Sequence, residues 1–128
     1  MPAKRKQPRP AAEALQLRGR FWVDIGGVAV LTDAGADLLE QIDARGSLSE
    51  AARQLHFSYR RAWLLLDTMN RNWPAPLVET AVGGHRGGGA SLTELGHEIL
   101  RAYRDVQLQL EHLLGREIAA FRADAAQS

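Results

Sequence analysis

The stretch Gly46 to Asn70, GSLSEAARQLHFSYRRAWLLLDTMN, constrains this chain most tightly. Ser47-Leu48-Ser49-Glu50 has the form of a capping box. In that device a serine hydroxyl accepts a first-turn N–H and the glutamate reaches back to the serine N–H. Such a cap is worth on the order of 1 kcal/mol. Leu48, Ala51, Ala52 and Leu55 follow as an apolar face, and the small alanines admit a neighbouring helix. His56-Phe57 makes a turn, and Ser58 can cap a second helix. In that helix Ala62, Leu65, Leu66 and Met69 recur three or four apart and so share one face. Arg60, Arg61, Trp63, Leu64 and Asp67 occupy other faces. Phe57 and Met69 are expected in the core, and Trp63 as core or a packing shelf rather than a base contact. Pro74 and Pro76 prevent the helix from continuing. The pattern is two short helices and a tight turn, the second helix opening on Ser58-Tyr59-Arg60-Arg61.

The flanks supply what such a pair needs in order to pack. Arg18 to Leu31, RGRFWVDIGGVAVL, alternates as a β-hairpin, with Gly26-Gly27 at a turn that tolerates positive φ. A lone hairpin is marginal in water, so one face must rest on the helices. Thr32 or Asp33 can cap a helix from Ala34 to about Ala44, with Leu38, Leu39 and Ile42 as its buried stripe and Gly46 just past its end. Leu77 to Thr80 and Ala90 to Leu92 read as paired strands around the glycine-rich residues 83–89. Thr93 caps a last helix, residues 94–121. Its apolar residues, from Leu95 through Tyr103 and Leu113 to Phe121, form a stripe too long to bury on so small a domain. A partner helix is the simplest cover.

Composition narrows the function class. The chain has 128 residues, 45% of them apolar, and one domain over residues 15–128 is the sensible prior. Cysteine is absent, so disulfides and thiolate metal sites are excluded. No apolar run approaches the roughly 18–20 residues that span a bilayer, and the basic start lacks an apolar segment after it. A soluble, cytoplasmic protein without membrane partners is expected. Net charge is only +1, but its distribution is uneven. Lys4, Arg5, Lys6 and Arg9 crowd a start that holds no acid. Residues 1–14 read as a disordered basic arm, either a solubilising leader or a strand that follows DNA. Arg45, Arg53, Arg60, Arg61, His85 and Arg86 cluster in and just after the helix pair. A near-neutral protein with one basic face can bind phosphate backbones.

No catalytic pattern is present. His56, His85, His97 and His112 lack zinc-type spacing, and Arg101 stands where a second histidine would complete HExxH after His97-Glu98. Gly83 and Gly88 have the Walker separation, but Gly89 replaces the lysine. There is no GxSxG motif and no thiol nucleophile. A non-enzyme with no cofactor is expected.

DNA reading has different requirements. The major groove admits one helix, and side chains at its N-terminal end reach base edges. Ser58 and Tyr59 can bond phosphates or bases. Arg60 and Arg61 can each fork onto guanine or pair with phosphate, and the sequence leaves both roles open. Ser47 and Ser49 open the preceding helix, where phosphate commonly docks. Arg53 and Gln54 are weaker candidates. The glycine loop permits close approach, with His85 and Arg86 as a basic tip. Taken alone it can be a floppy surface loop, but its place after a helix pair and before a paired strand favours a wing.

The runs SLSEAARQLHFSYRRAWLLLDTMN and LVETAVGGHRGGGASLTELGHEIL closely resemble the N-terminal domain of the ModE family. These are molybdate-responsive transcription regulators with a LysR-like winged helix-turn-helix. The resemblance covers roughly residues 15–120 and includes the RFWVDIGGVAVL hairpin and the Met69-Asn70 pair. It implies an α-rich (α+β) winged helix-turn-helix with an N-terminal β-hairpin, a β wing and a long C-terminal dimerisation helix. It also implies a homodimer that binds double-stranded DNA at a pseudo-palindromic site. Full-length members carry molbindin-type β-barrels that bind the oxyanion. After the last helix no sequence remains for one, so direct molybdate sensing is not expected, and regulation would pass through a separate molybdate-binding protein or be absent. The alternative expectation is a winged-helix protein-interaction module without specific DNA binding.

Overall fold

The computed structural model describes residues 16–81 and 89–121. They fall into two compact units, Arg20–Gln109 and a smaller one whose described residues are 16–19 and 110–121. The fold is mixed α and β, with four helices and two separate two-stranded antiparallel sheets. The basic arm, the loop around His85 and Arg86, and residues 122–128 lie outside the described residues.

In the larger unit, β1 (Val23–Ile25) and β2 (Val28–Leu31) form the first hairpin, joined through Gly26 (φ 58°) and Gly27 (φ 81°). Two successive positive φ values are what a two-residue hairpin turn requires. Helix α1 (Asp33–Arg45) starts at Thr32, whose Oγ1 accepts the Gly35 N–H at 3.1 Å. This settles the choice between Thr32 and Asp33. Asp33 falls instead in the first turn, where its charge suits the positive end of the helix dipole. Leu38, Leu39 and Ile42 are fully buried. Gly46 ends the helix in the left-handed region and donates its N–H to Ile42 O at 2.8 Å.

Helix α2 (Leu48–Gln54) buries Leu48, Ala51 and Ala52. Ser47 Oγ accepts the Glu50 N–H at 3.1 Å, the first half of the expected capping box. The second half is not made, because Glu50 bonds Arg53 at 2.7 Å. A charge-assisted bond one turn along outcompetes a neutral backbone donor. The turn to α3 passes through His56 at φ 57°, the only non-glycine residue with positive φ among those described. Helix α3 (Tyr59–Asn72) buries Ala62, Leu66 and Met69. It ends where Trp73 turns extended ahead of Pro74.

Strands β3 (Val78–Thr80) and β4 (Ala90–Leu92) pair with Val78 opposite Leu92 and Thr80 opposite Ala90. Asn70 fastens β3 to α3. Its Oδ1 accepts from the Leu77 and Val78 N–H groups at 2.9 and 3.1 Å, and its Nδ2 donates to Val78 O at 3.1 Å. On the other strand, the Ala90 N–H donates to Gly46 O at 2.9 Å.

Helix α4 (Glu94–Glu117) is capped by Thr93, whose Oγ1 accepts the Gly96 N–H at 3.0 Å and donates to Pro76 O at 2.8 Å. Gly96 lies against the Leu77 carbonyl so closely that a Cβ there would collide with the backbone. The helix is interrupted at Ile118, short of the expected Phe121, and one tighter turn follows in which the Phe121 N–H reaches Ile118 O.

Two residues in the first part of α4 fasten it within the larger unit. Arg104 donates to Asp37 at 2.8 Å and Glu40 at 2.9 Å, both on α1. Burial opposes the charge on Arg104, but the Asp37 hydrogen bond and both carboxylates outweigh it and raise its pKa. The buried Tyr103 ring stacks on Phe21, centroids 4.4 Å apart, and its OH donates to Phe21 O at 2.9 Å. Burial above all, then Asp33 and Asp37, raises the Tyr103 pKa, while Arg104 opposes them.

We expect Tyr103→Phe to keep the stack and lose about 1 kcal/mol in urea denaturation. Because the folded pKa is raised, the tyrosine's contribution is whole below about pH 10 and declines as pH rises through the folded value. The phenylalanine variant should lack this alkaline decline. An equal decline in both would assign it to other groups.

In the smaller unit Gly19 packs against Leu110 and Leu114. Leu113, Ile118 and Phe121 are exposed there, as are Val106 and Leu108 on the preceding part of α4. The stripe expected along this helix therefore divides. Tyr103 is in the core and Leu95, Ile99 and Leu100 pack against it, while the apolar residues farther on are largely uncovered.

Candidate nucleic-acid interface

The first turns of α3 carry the candidate site. Ser58 has extended backbone and its Oγ accepts the Arg61 N–H at 3.0 Å. This uses a lone pair and leaves the hydroxyl proton free to donate. No acid lies in the first turn, so the positive end of the helix dipole is uncompensated beside Arg60 and Arg61. Asp67, farther along the helix, is paired with Arg71 at 2.9 Å. The edge as built attracts anions.

The sequence-derived candidates divide. Ser58, Tyr59, Arg60 and Arg61 stand together at the start of α3, all exposed, with Tyr59 at 58%. Arg61 is partly committed, since its guanidinium lies over the Phe57 ring, 3.9 Å from the centroid. At an exposed site such a contact is worth about 0.5–1 kcal/mol and holds the side chain in one orientation. Arg60 has no such restraint and is the freer of the two to reach a ligand. Ser47 and Ser49 sit at the start of α2, Ser47 half-buried with its oxygen used in the cap, Ser49 exposed. His85 and Arg86 lie outside the described residues.

Trp63 departs from expectation. It is 46% exposed, as is Leu64, and neither belongs to the buried face of α3. The core-facing row is set by Ala62, Leu66 and Met69, and Trp63 stands one residue, about 100°, off that row. The spacing put Trp63 off that row, but it did not show whether a neighbouring element covers it. The usable signal was Tyr59 and Trp63 at i, i+4, which places two aromatics on one face.

A cleft of about 390 Å³ opens between β2, the start of α1 and α3. Arg60, Arg61, Leu64 and Thr68 line one side, and Val30, Leu31 and Thr32 the other. Among the described residues no carboxylate or imidazole lines it. Among the described residues no three acidic or histidine side chains gather as a metal site would require, and no helix is long and apolar enough to cross a membrane.

No protein-family model matches the chain. It is 37% identical over 103 residues to a molybdenum transport protein ModE of Azotobacter vinelandii, covering 80% of this chain and 38% of that protein. It is 36% identical over 110 residues to the molybdenum-pterin-binding protein MopA of Rhodobacter capsulatus, covering 86% of this chain and 38% of MopA. It is 39% identical over 74 residues to a DNA-binding transcriptional dual regulator ModE of Escherichia coli, covering 58% of this chain and 28% of the regulator. The chain thus spans well under half the length of each of these relatives. Their names and the level of identity support kinship with the ModE family of molybdenum-related proteins.

Proposed function

We propose that the chain is a winged helix-turn-helix that binds double-stranded DNA in a sequence-specific way, as a homodimer, and regulates transcription in connection with molybdenum. Helix α3 is the reading helix, α2 its support, and the β3–β4 hairpin the wing. The observation that carries this reading is the division of α3. Ala62, Leu66 and Met69 hold it in the core, while Tyr59, Arg60 and Trp63 project from its first turns with no acid in the first. A helix presented in this way offers its N-terminal side chains to a major groove.

The exposed Val106 and Leu113, seven residues apart and so on one face of α4, support the dimer, since a second copy's helix would cover them. The molybdenum link rests on the names of the relatives.

Selection of bound sequences from a random duplex pool tests the reading. Enrichment of a two-fold-related site is the expected result, and absence of any enriched sequence would defeat the claim of specific reading. The exposed Trp63 and Leu64 give the second reading, a protein-interaction module, its one specific support. A gel shift of random duplex at low salt separates the two. Bound duplex at micromolar protein favours DNA, and free duplex favours the module.

A further inference from the structure

We propose that Trp63 is a specificity-determining residue that packs against thymine 5-methyl groups in the major groove. The inference rests on the DNA-reading function above and assigns that function a base.

Trp63 is a large aromatic residue left 46% exposed in a helix whose core requirements are met by other residues. Tyr59 lies four positions before it and is 58% exposed, so the two form an aromatic strip on an otherwise polar and cationic edge. Arg60 lies three positions before Trp63, and its guanidinium is not held by a ring as that of Arg61 is. Phosphates offer an indole no apolar surface. In the major groove, the thymine methyl is the apolar group that base edges present. An arginine and an indole at i, i+3 would thus read neighbouring positions by different chemistry, a guanine edge through hydrogen bonds and a methyl through packing.

The test uses the duplex enriched from the random pool. Each thymine in turn is replaced by deoxyuridine, which removes the methyl and keeps the base pair. At one or two positions wild-type affinity should fall about fourfold, the value of one buried methyl-sized group. Trp63→Ala should bind the parent duplex more weakly and show no deoxyuridine penalty at those positions, while Trp63→Phe should retain part of it. Trp63→Ala should also melt with the wild type, which a merely structural role would not allow.

An enriched site insensitive to every deoxyuridine, or a penalty that persists in Trp63→Ala, overturns the thymine assignment and leaves the DNA-reading function standing. Failure to enrich any sequence overturns that function itself, and this inference with it.

Discussion

Asn70→Ala is expected to lower the stability of the larger unit by roughly 2–3 kcal/mol in urea denaturation. One side chain supplies three hydrogen bonds to the Leu77–Val78 backbone, all between 2.9 and 3.1 Å. Leu77 and Val78 are themselves buried, so removing the amide strands two backbone N–H groups where water has poor access. Asn70→Asp separates the contributions. It keeps the acceptor for both N–H groups and loses the donor to Val78 O, so it should fall between alanine and wild type. A loss below about 0.5 kcal/mol in the alanine variant would mean that water replaces the amide, and the clamp would have little energetic weight.

Arg60→Ala should weaken binding to the selected duplex by about 10- to 100-fold, or roughly 1–3 kcal/mol, if its fork engages a base. Binding to unrelated duplex should change far less. The comparison matters because Arg60 and Arg61 are neighbours of identical charge in different settings. Arg61 is stacked on Phe57, so its removal should cost some stability as well as affinity. Arg60→Lys retains charge but not the planar fork, and should restore non-specific binding without restoring the preference. If Arg60→Ala loses affinity equally on every sequence, the residue contacts phosphate instead.

Features governed by local chemistry were legible in the sequence. Thr32, Ser47 and Ser58 each cap the helix that follows, because a hydroxyl three residues ahead of an N–H needs only local geometry. The Gly26-Gly27 turn, the Gly46 terminus and the buried stripe of α1 were readable for the same reason. Choices between competing partners were not. Glu50 could serve the Ser47 backbone or Arg53, and only relative bond strength decides. Trp63 was correctly placed off the buried face of α3, but the spacing within one helix does not say whether another element covers that side, and none does enough to bury it. The role of Asn70 and the Tyr103–Phe21 contact join residues seven and eight, and then 82, positions apart, beyond the reach of any local pattern. His56 gave no warning of its positive φ, a conformation that histidine enters more readily than most residues.

The two fastenings of the β3–β4 hairpin bear on how such a protein can diversify. One strand is secured by Asn70 and the other by the Gly46 carbonyl, so each is anchored to a helix element as well as to its partner strand. The span between Ala81 and Gly89, whose own backbones pair at 2.8 Å, can therefore change in length or composition with little disturbance to the helices. Doubling such a span costs only about 0.6 kcal/mol of closure entropy. Variants with exchanged spans are therefore expected to keep one helical chassis.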